Sequence, residues 1–122
     1  MITINEPIPA DVSADLVELS ARLDKAIPSK SLDHNLLIAT WNLRAFGDLT
    51  DKWQAGEGDS PKRDKHALAS IAEIISRFDV VALQELDVGR ARTEGMDQAH
   101  LIARYLEMEF HFHPSLHLEE ER

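Results

Sequence analysis

Two polar residues each follow an apolar run in this chain, and both carry oxygen atoms that suit a hard cation. Asn42 follows the run in LLIATWN, and Glu85 follows the run in DVVALQE. If both runs are strands and the strands are parallel neighbours, their backbones lie about 4.8 Å apart. An amide oxygen and a carboxylate at that spacing can share one Mg²⁺ ion, which keeps several of its waters. The alternative is that the strands end in polar residues because the sheet meets water there, and spacing alone leaves both interpretations open.

Three arginines near these positions are candidate ligands for a phosphate group. Arg44 comes two residues after Asn42, and Arg90 and Arg92 belong to the segment that follows Glu85. A guanidinium group can hold a phosphate through two parallel hydrogen bonds. The alternative for all three is an ordinary solvated position in a surface loop.

Other catalytic chemistries have less support in the sequence. His111 and His113 would share one face of a strand, as a pair of zinc ligands can, but no further ligand at a suitable spacing completes the site. An ordinary half-exposed strand explains both histidines. No serine lies in a nucleophile-elbow context. The chain has no cysteine, which excludes disulfides and thiolate chemistry.

The spacing of apolar residues predicts the elements that must position these groups. In chain order they are a helix over 9–28 that ends at Pro28, a strand over 36–40, a helix over 60–78, a strand over 79–86, a helix over 96–109 and a short extended segment over 110–116. Ser60 is the predicted N-cap of the second helix, with Pro61 at its first position. The connection over 43–60 is too long for a tight turn, and such loops are usually functional or disordered.

The buried faces of these helices also follow from the spacing. The apolar stripe of the first helix is Val12, Leu16, Leu19, Leu23 and Ile27, and that of the second is Leu68, Ile71, Ile75 and Phe78. Strand, helix and strand in succession form a βαβ unit, so we expect two parallel strands. Ligands of open α/β sheets bind beyond the carboxyl ends of such strands, which is where Asn42 and Glu85 are expected.

The composition is that of a soluble globular domain of 122 residues, with 43% hydrophobic and 29% charged residues. A net charge of −9 argues against tight binding to a long polyanion, although acidic and basic residues balance over 40–66. No run of residues is long and apolar enough to cross a membrane. The N-terminus lacks the pattern of a secretory signal, so we expect a cytoplasmic protein with no membrane partner.

Two motifs of the chain resemble those of a known family. IATWNLR, followed some forty residues later by DVVALQEL, resembles the endonuclease/exonuclease/phosphatase superfamily with its deoxyribonuclease I-like fold. The resemblance implies an α/β chain that forms the βαβ-containing N-terminal half of a four-layer α/β sandwich, here preceded by an amphipathic helix. It also implies a phosphoester hydrolase that uses Mg²⁺ or Mn²⁺, with Asn42 and Glu85 among the metal ligands.

The second half of the family pattern is missing from this sequence. Neither the SDH-like tripeptide nor the GDFN-like turn, which mark the family's catalytic histidine and acids, occurs here, and family domains are about twice as long. We therefore expect a helix and linker over 1–31 and a partial domain over 32–122, without the general acid and base. The segment after Glu85 resembles a different branch of the family, which would place a seam near Asp87.

Two functions from different classes follow from these observations. The first is metal-dependent hydrolysis of a phosphate ester, with nucleic acid as one candidate substrate, which this chain would perform incompletely. The alternative is a non-catalytic fragment or partner-binding module that keeps only the metal side of the fold. Truncation would leave an exposed sheet edge, which favours self-association or complementation by a partner. A βαβ scaffold without any metal is a third possibility.

Overall fold

Helices and strands alternate along the chain, as the sequence predicts. The computed structural model describes residues 7–46, 49–86 and 98–111, and of residues 44–46, 85–86 and 98–99 it describes the backbone only. Within this part of the chain the elements are α1 (Ala10–Ala26), β1 (Ile38–Phe46), α2 (Lys65–Ile75), β2 (Val80–Leu86) and α3 (Gln98–Tyr105). The α/β class is confirmed, and the arrangement is consistent with a fragment of the fold that the resemblance implies.

The two strands form a parallel pair connected through α2, which confirms the predicted βαβ unit. The register pairs Ile38 with Val80 and continues without a break as far as Asn42 and Gln84. The next recorded pair is Phe46 with Leu86, so β1 contains two more residues than β2 over this stretch. A bulge of this kind bends the strand and increases its twist. The irregularity therefore lies at the carboxyl end of the sheet.

The hydrophobic core lies between the sheet and α2, and α3 adds Ile102 to it. The predicted stripe of α2 is confirmed at three positions, since Leu68 has no exposed surface and Ile71 and Ile75 are buried. The fourth predicted member, Phe78, lies beyond the end of the helix and is only partly buried. Leu43 and Leu49 belong to the same cluster, and the partly buried hydrophobics packed against it include Trp41, Val81 and Leu83. Burial of a leucine side chain of this size contributes about 1.5–3 kcal/mol. This packing holds β1 and β2 against α2.

The opposite face of the sheet is open within the described residues. Ile38 and Val80 form one registered pair on that face, and their side chains are 59% and 50% exposed. Thr40, Asn42, Ala82 and Gln84, which complete the outward face, are also exposed. These six residues include no charged side chain. The face is therefore less polar than a solvated sheet surface usually is.

The first helix packs along α2. Val12 is fully buried, and the guanidinium Nη2 of Arg77, just beyond α2, lies 2.7 Å from Ser20 Oγ and 3.2 Å from Asp24 Oδ1. The helix stops at Ala26 and Ile27 is extended, so α1 ends two residues before the predicted end at Pro28. The boundary between residues 31 and 32 as a domain division stays a prediction. Neither α1 nor the other described helices are long and apolar enough to span a bilayer.

Several predicted boundaries were wrong. The first strand was predicted to end at Thr40, but β1 continues to Phe46 because Trp41 and Leu43 extend its inward face into the core. The second helix begins at Lys65 rather than beside Pro61, and its N-cap is Asp64 rather than Ser60. The carboxylate of Asp64 accepts the Ala67 N–H at 3.0 Å, which satisfies one of the free amides of the first turn.

Candidate functional site

The two predicted metal ligands lie on neighbouring parallel strands, within the strands rather than beyond their carboxyl ends as the sequence predicts. Asn42 lies four residues before the end of β1, and Glu85 lies one residue before the end of β2. The register places Asn42 opposite Gln84, so Glu85 comes one residue after the partner of Asn42. The side chain of Asn42 is exposed, whereas that of Glu85 is outside the described part of the chain. Convergence of the two side chains on one ion therefore stays a prediction.

Gln84 is the residue that the register brings closest to Asn42 in the ladder. Registered residues of neighbouring strands project from the same face of a sheet, and both side chains are exposed. Apolar patterning defines which residues form a strand but not which residue faces which across two strands, so no local signal identifies this pair.

The chemistry of the donor set fits a hard cation with few protein ligands. Asn42 and Glu85 would offer an amide oxygen and a carboxylate, and exposure at Asn42 leaves access for water and substrate oxygens. No group of three or more histidine, aspartate or glutamate side chains that could hold a metal occurs among the described residues. An amide oxygen and a carboxylate are ligands that suit a magnesium ion, which keeps several of its waters.

The candidate zinc residues lie beyond α3. The His111 Nε2 atom is 3.7 Å from Glu109 Oε2, with both side chains largely exposed, and His113 lies outside the described residues. The predicted extended segment over 110–116 is therefore described only at its first two residues, neither of which belongs to a strand.

The predicted phosphate ligands also lie outside the described side chains. Arg44 is part of β1 by its backbone, but its side chain is not described. Arg90 and Arg92 fall in the undescribed segment after β2. Phosphate binding by these three residues stays a prediction.

The structure describes the long connection between β1 and α2 over residues 49–64, and we name this stretch the β1–α2 loop. Its two ends are joined by backbone hydrogen bonds from Thr50 N–H to the Arg63 carbonyl at 2.8 Å and from Lys65 N–H to the Lys52 carbonyl at 2.9 Å. Leu49 anchors the start of the loop in the core. The structure gives this stretch of the connection a defined conformation that its own hydrogen bonds hold.

Lys65 fixes the end of this loop from the first position of α2. Its side chain is only 5% exposed, its Nζ atom lies 2.9 Å from Asp51 Oδ1, and the same atom is 5.9 Å from the ring centroid of Trp53. A cation held by a carboxylate and an aromatic face at once restrains both of them. In the sequence, Lys65 stands with Lys62 and Arg63 in a basic cluster, and nothing in that pattern indicates burial.

The tip of the loop is held by Asp59 and by two lysines. The Asp59 carboxylate accepts the Gly56 N–H at 2.7 Å and lies 2.9 Å from Lys52 Nζ. The Lys62 ammonium donates to the carbonyl oxygens of Gly56 and Glu57 at 2.8 and 2.6 Å. The Gly56 amide and then the Lys52 side chain hold the pKa of Asp59 below its ordinary value. Nearby, burial lowers the pKa of Arg63.

A parallel βαβ unit with polar residues near the carboxyl ends of its strands defines an α/β protein of the kind that binds ligands at that edge. The model of the Endonuclease/Exonuclease/phosphatase family matches residues 39–117. The chain therefore belongs to this family. The match includes Asn42 and Glu85 as well as α2, β2 and α3, and it begins after α1. Comparison with curated proteins and with solved structures gave no match.

Proposed function

We propose that this chain provides the metal-binding side of a metal-dependent phosphoester hydrolase, with Asn42 and Glu85 as ligands of Mg²⁺ or Mn²⁺. The observation that carries the proposal is the position of these two oxygen-bearing residues in a chain of this family. They lie on adjacent parallel strands, next to the point in the register where the regular pairing ends.

Each residue has a defined task in this proposal. The carboxylate of Glu85 supplies the negative charge, and the neutral amide of Asn42 supplies a second oxygen without further charge repulsion toward a phosphate. A divalent ion bound there would polarise a phosphoryl oxygen and stabilise charge on the leaving group. Arg44, Arg90 and Arg92 would orient the phosphate group. The substrate class is a phosphate ester, and nucleic acid is one candidate within it.

Hydrolysis of bis-p-nitrophenyl phosphate and of plasmid DNA tests this proposal, each with Mg²⁺ or Mn²⁺. The chain is compared with its Glu85→Gln variant, which keeps the shape of the side chain and removes its charge. Glu18→Gln is the matched control, because Glu18 lies on the exposed side of α1 and pairs only with Arg22 in that helix. We expect weak metal-dependent activity, as for a chain that performs the reaction incompletely, and we expect it to be lost in Glu85→Gln and kept in Glu18→Gln. Equal activity in all three proteins would contradict the assignment of Glu85.

A partner-binding role is the second candidate, and the open face of the sheet favours it. Ile38 and Val80 expose more apolar surface there than a solvated face requires. We propose a second copy of the chain as the partner, associated through this face or the adjoining strand edge. Sedimentation velocity over a range of concentrations tests this, with Val80→Lys expected to shift the protein toward monomer. A wild-type chain that stays monomeric at high concentration would contradict it.

A further inference from the structure

We infer that Asp11 of α1 is a positioning residue for the β1–α2 loop, and that it acts through Gln54. The carboxylate oxygen Oδ2 of Asp11 accepts a hydrogen bond from Gln54 Nε2 at 2.6 Å. Asp11 lies in a helix outside the family match, whereas Gln54 lies inside it. A segment that this chain adds to the family domain would thus control a loop of that domain.

The contact is well placed to hold the loop, because the surrounding part of α1 is itself fixed. Val12, the next residue, has no exposed surface. One turn further along, the Asp15 carboxylate lies 3.3 Å from His66 Nε2 in the first turn of α2. The start of α1 is therefore attached to α2 on one side and to the loop on the other.

Gln54 is also a sensitive position within the loop. The residue after it donates its N–H to the Asp64 carboxylate at 2.8 Å, and the turn closed by Asp59 begins at Gly56. The backbone hydrogen bonds at Thr50 and Lys65 fix the base of the loop. The Asp11–Gln54 contact therefore links the outer half of the loop to a separate helix, and its loss would leave that half attached mainly through the loop's own contacts.

The loop leaves the carboxyl end of β1, which is the end of the sheet where the proposed function places the substrate. The expected change in KM rests on that proposed function, whereas the expected change in hydrogen exchange does not. A loop at this position that is free to move would bind the substrate less well without changing the metal ligands. We therefore expect a higher KM and an unchanged kcat when the contact is removed.

Amide hydrogen exchange over residues 53–59 tests the structural part, with Asp11→Ala and Asp11→Asn compared in the full chain. Alanine removes the acceptor, whereas asparagine keeps an oxygen that can accept from Gln54 but removes the charge. Glu18→Ala is the control for a carboxylate on α1 that does not contact the loop. We expect exchange in Asp11→Ala to be roughly two- to fivefold faster than in the wild type, the range for an exposed polar contact. Exchange in Asp11→Asn and Glu18→Ala should be close to wild type.

The outcomes separate this inference from other effects. Equal acceleration in Asp11→Ala and Asp11→Asn would attribute the effect to lost charge at the start of α1 and overturn the inference. Unchanged exchange in Asp11→Ala would also overturn it. If exchange responds as expected but no variant hydrolyses bis-p-nitrophenyl phosphate, the loop contact stands and the proposed function fails. If the proteins are active, a lower kcat with an unchanged KM in Asp11→Ala would contradict the positioning role.

Discussion

Replacement of Asp64 by alanine should destabilise the protein, whereas replacement of Ser60 should not. The Asp64 carboxylate has two partners, the Ala67 N–H at 3.0 Å and the Ala55 N–H at 2.8 Å. The first contact caps α2, and the second fastens the β1–α2 loop to the start of that helix. Ser60 was the N-cap predicted from the sequence, and it lies four residues before the actual cap.

The two contacts give the expected magnitude. Loss of an aspartate N-cap costs about 1 kcal/mol. Loss of a second hydrogen bond between a carboxylate and an amide in a partly exposed position costs about 1 kcal/mol more. Asp64→Ala should therefore lower the free energy of unfolding by roughly 2 kcal/mol, which corresponds to a fall in Tm of roughly 6–10 °C for a chain of this size. Ser60→Ala should stay within about 0.5 kcal/mol of wild type.

Urea unfolding followed by tryptophan fluorescence measures both variants, because Trp53 lies in the loop and Trp41 contacts the core. Asp64→Asn and Asp64→Ser are informative companions, since both keep a side-chain oxygen that can cap the helix. These two variants should recover the part of the lost free energy of unfolding that comes from the N-cap, about 1 kcal/mol. If Ser60→Ala lowers the free energy of unfolding as much as Asp64→Ala does, Asp64 is not the residue that caps α2.

Three further predictions concern the core, the loop and the docking of α1. Leu68→Ala should cost about 3 kcal/mol in urea unfolding because it leaves a cavity, whereas Leu32→Ala, the same change at a fully exposed side chain, should cost under about 0.5 kcal/mol. The pKa of Asp59 is below its ordinary value of 3.8, so its contribution to stability is present above that pH and is lost as the pH falls below it. Hydrogen exchange near Gly56 should become faster across that range relative to an Asp59→Asn variant, and no change would contradict the coupling. Arg77→Met should weaken the docking of α1, since it removes the contact with Ser20, and limited proteolysis should then cleave α1 faster than in the wild type.

The parts of the fold that follow a local pattern could be predicted from the sequence. The apolar stripe of α2 is visible because residues three and four apart share a helix face, and Leu68 and Ile71 are buried as expected. The parallel pairing of β1 and β2 follows from the strand, helix and strand order. These features depend on spacing along the chain, which the sequence contains directly.

The N-cap of α2 depended on contacts between residues that are distant in sequence. Both Ser60 and Asp64 are common cap residues. The hydrogen bond from the Ala55 N–H to Asp64 is part of the loop structure that fixes the cap, and it joins residues nine positions apart. Local preference could not decide between the two.

The site was predictable in its residue types but not in its register. Strand patterning identified Asn42 and Glu85 as polar residues that follow two apolar runs, but it placed Asn42 beyond a strand that in fact continues to Phe46. It could not show that Asn42 faces Gln84, or that two extra residues follow in β1, because the pairing is set by packing against α2. The burial of Lys65 was also missed, because it depends on packing within the folded chain and a lysine in a basic sequence cluster is usually solvated.

We have proposed that Asn42 and Glu85 hold a divalent metal ion. Titration of the protein with Mn²⁺, with free metal followed by electron paramagnetic resonance, tests this without any requirement for catalysis. We predict one site in the wild type and in Glu18→Gln, with affinity at least about tenfold weaker in Asn42→Ala and in Glu85→Gln. Equal Mn²⁺ affinity in the wild type and both site variants would contradict metal binding by Asn42 and Glu85.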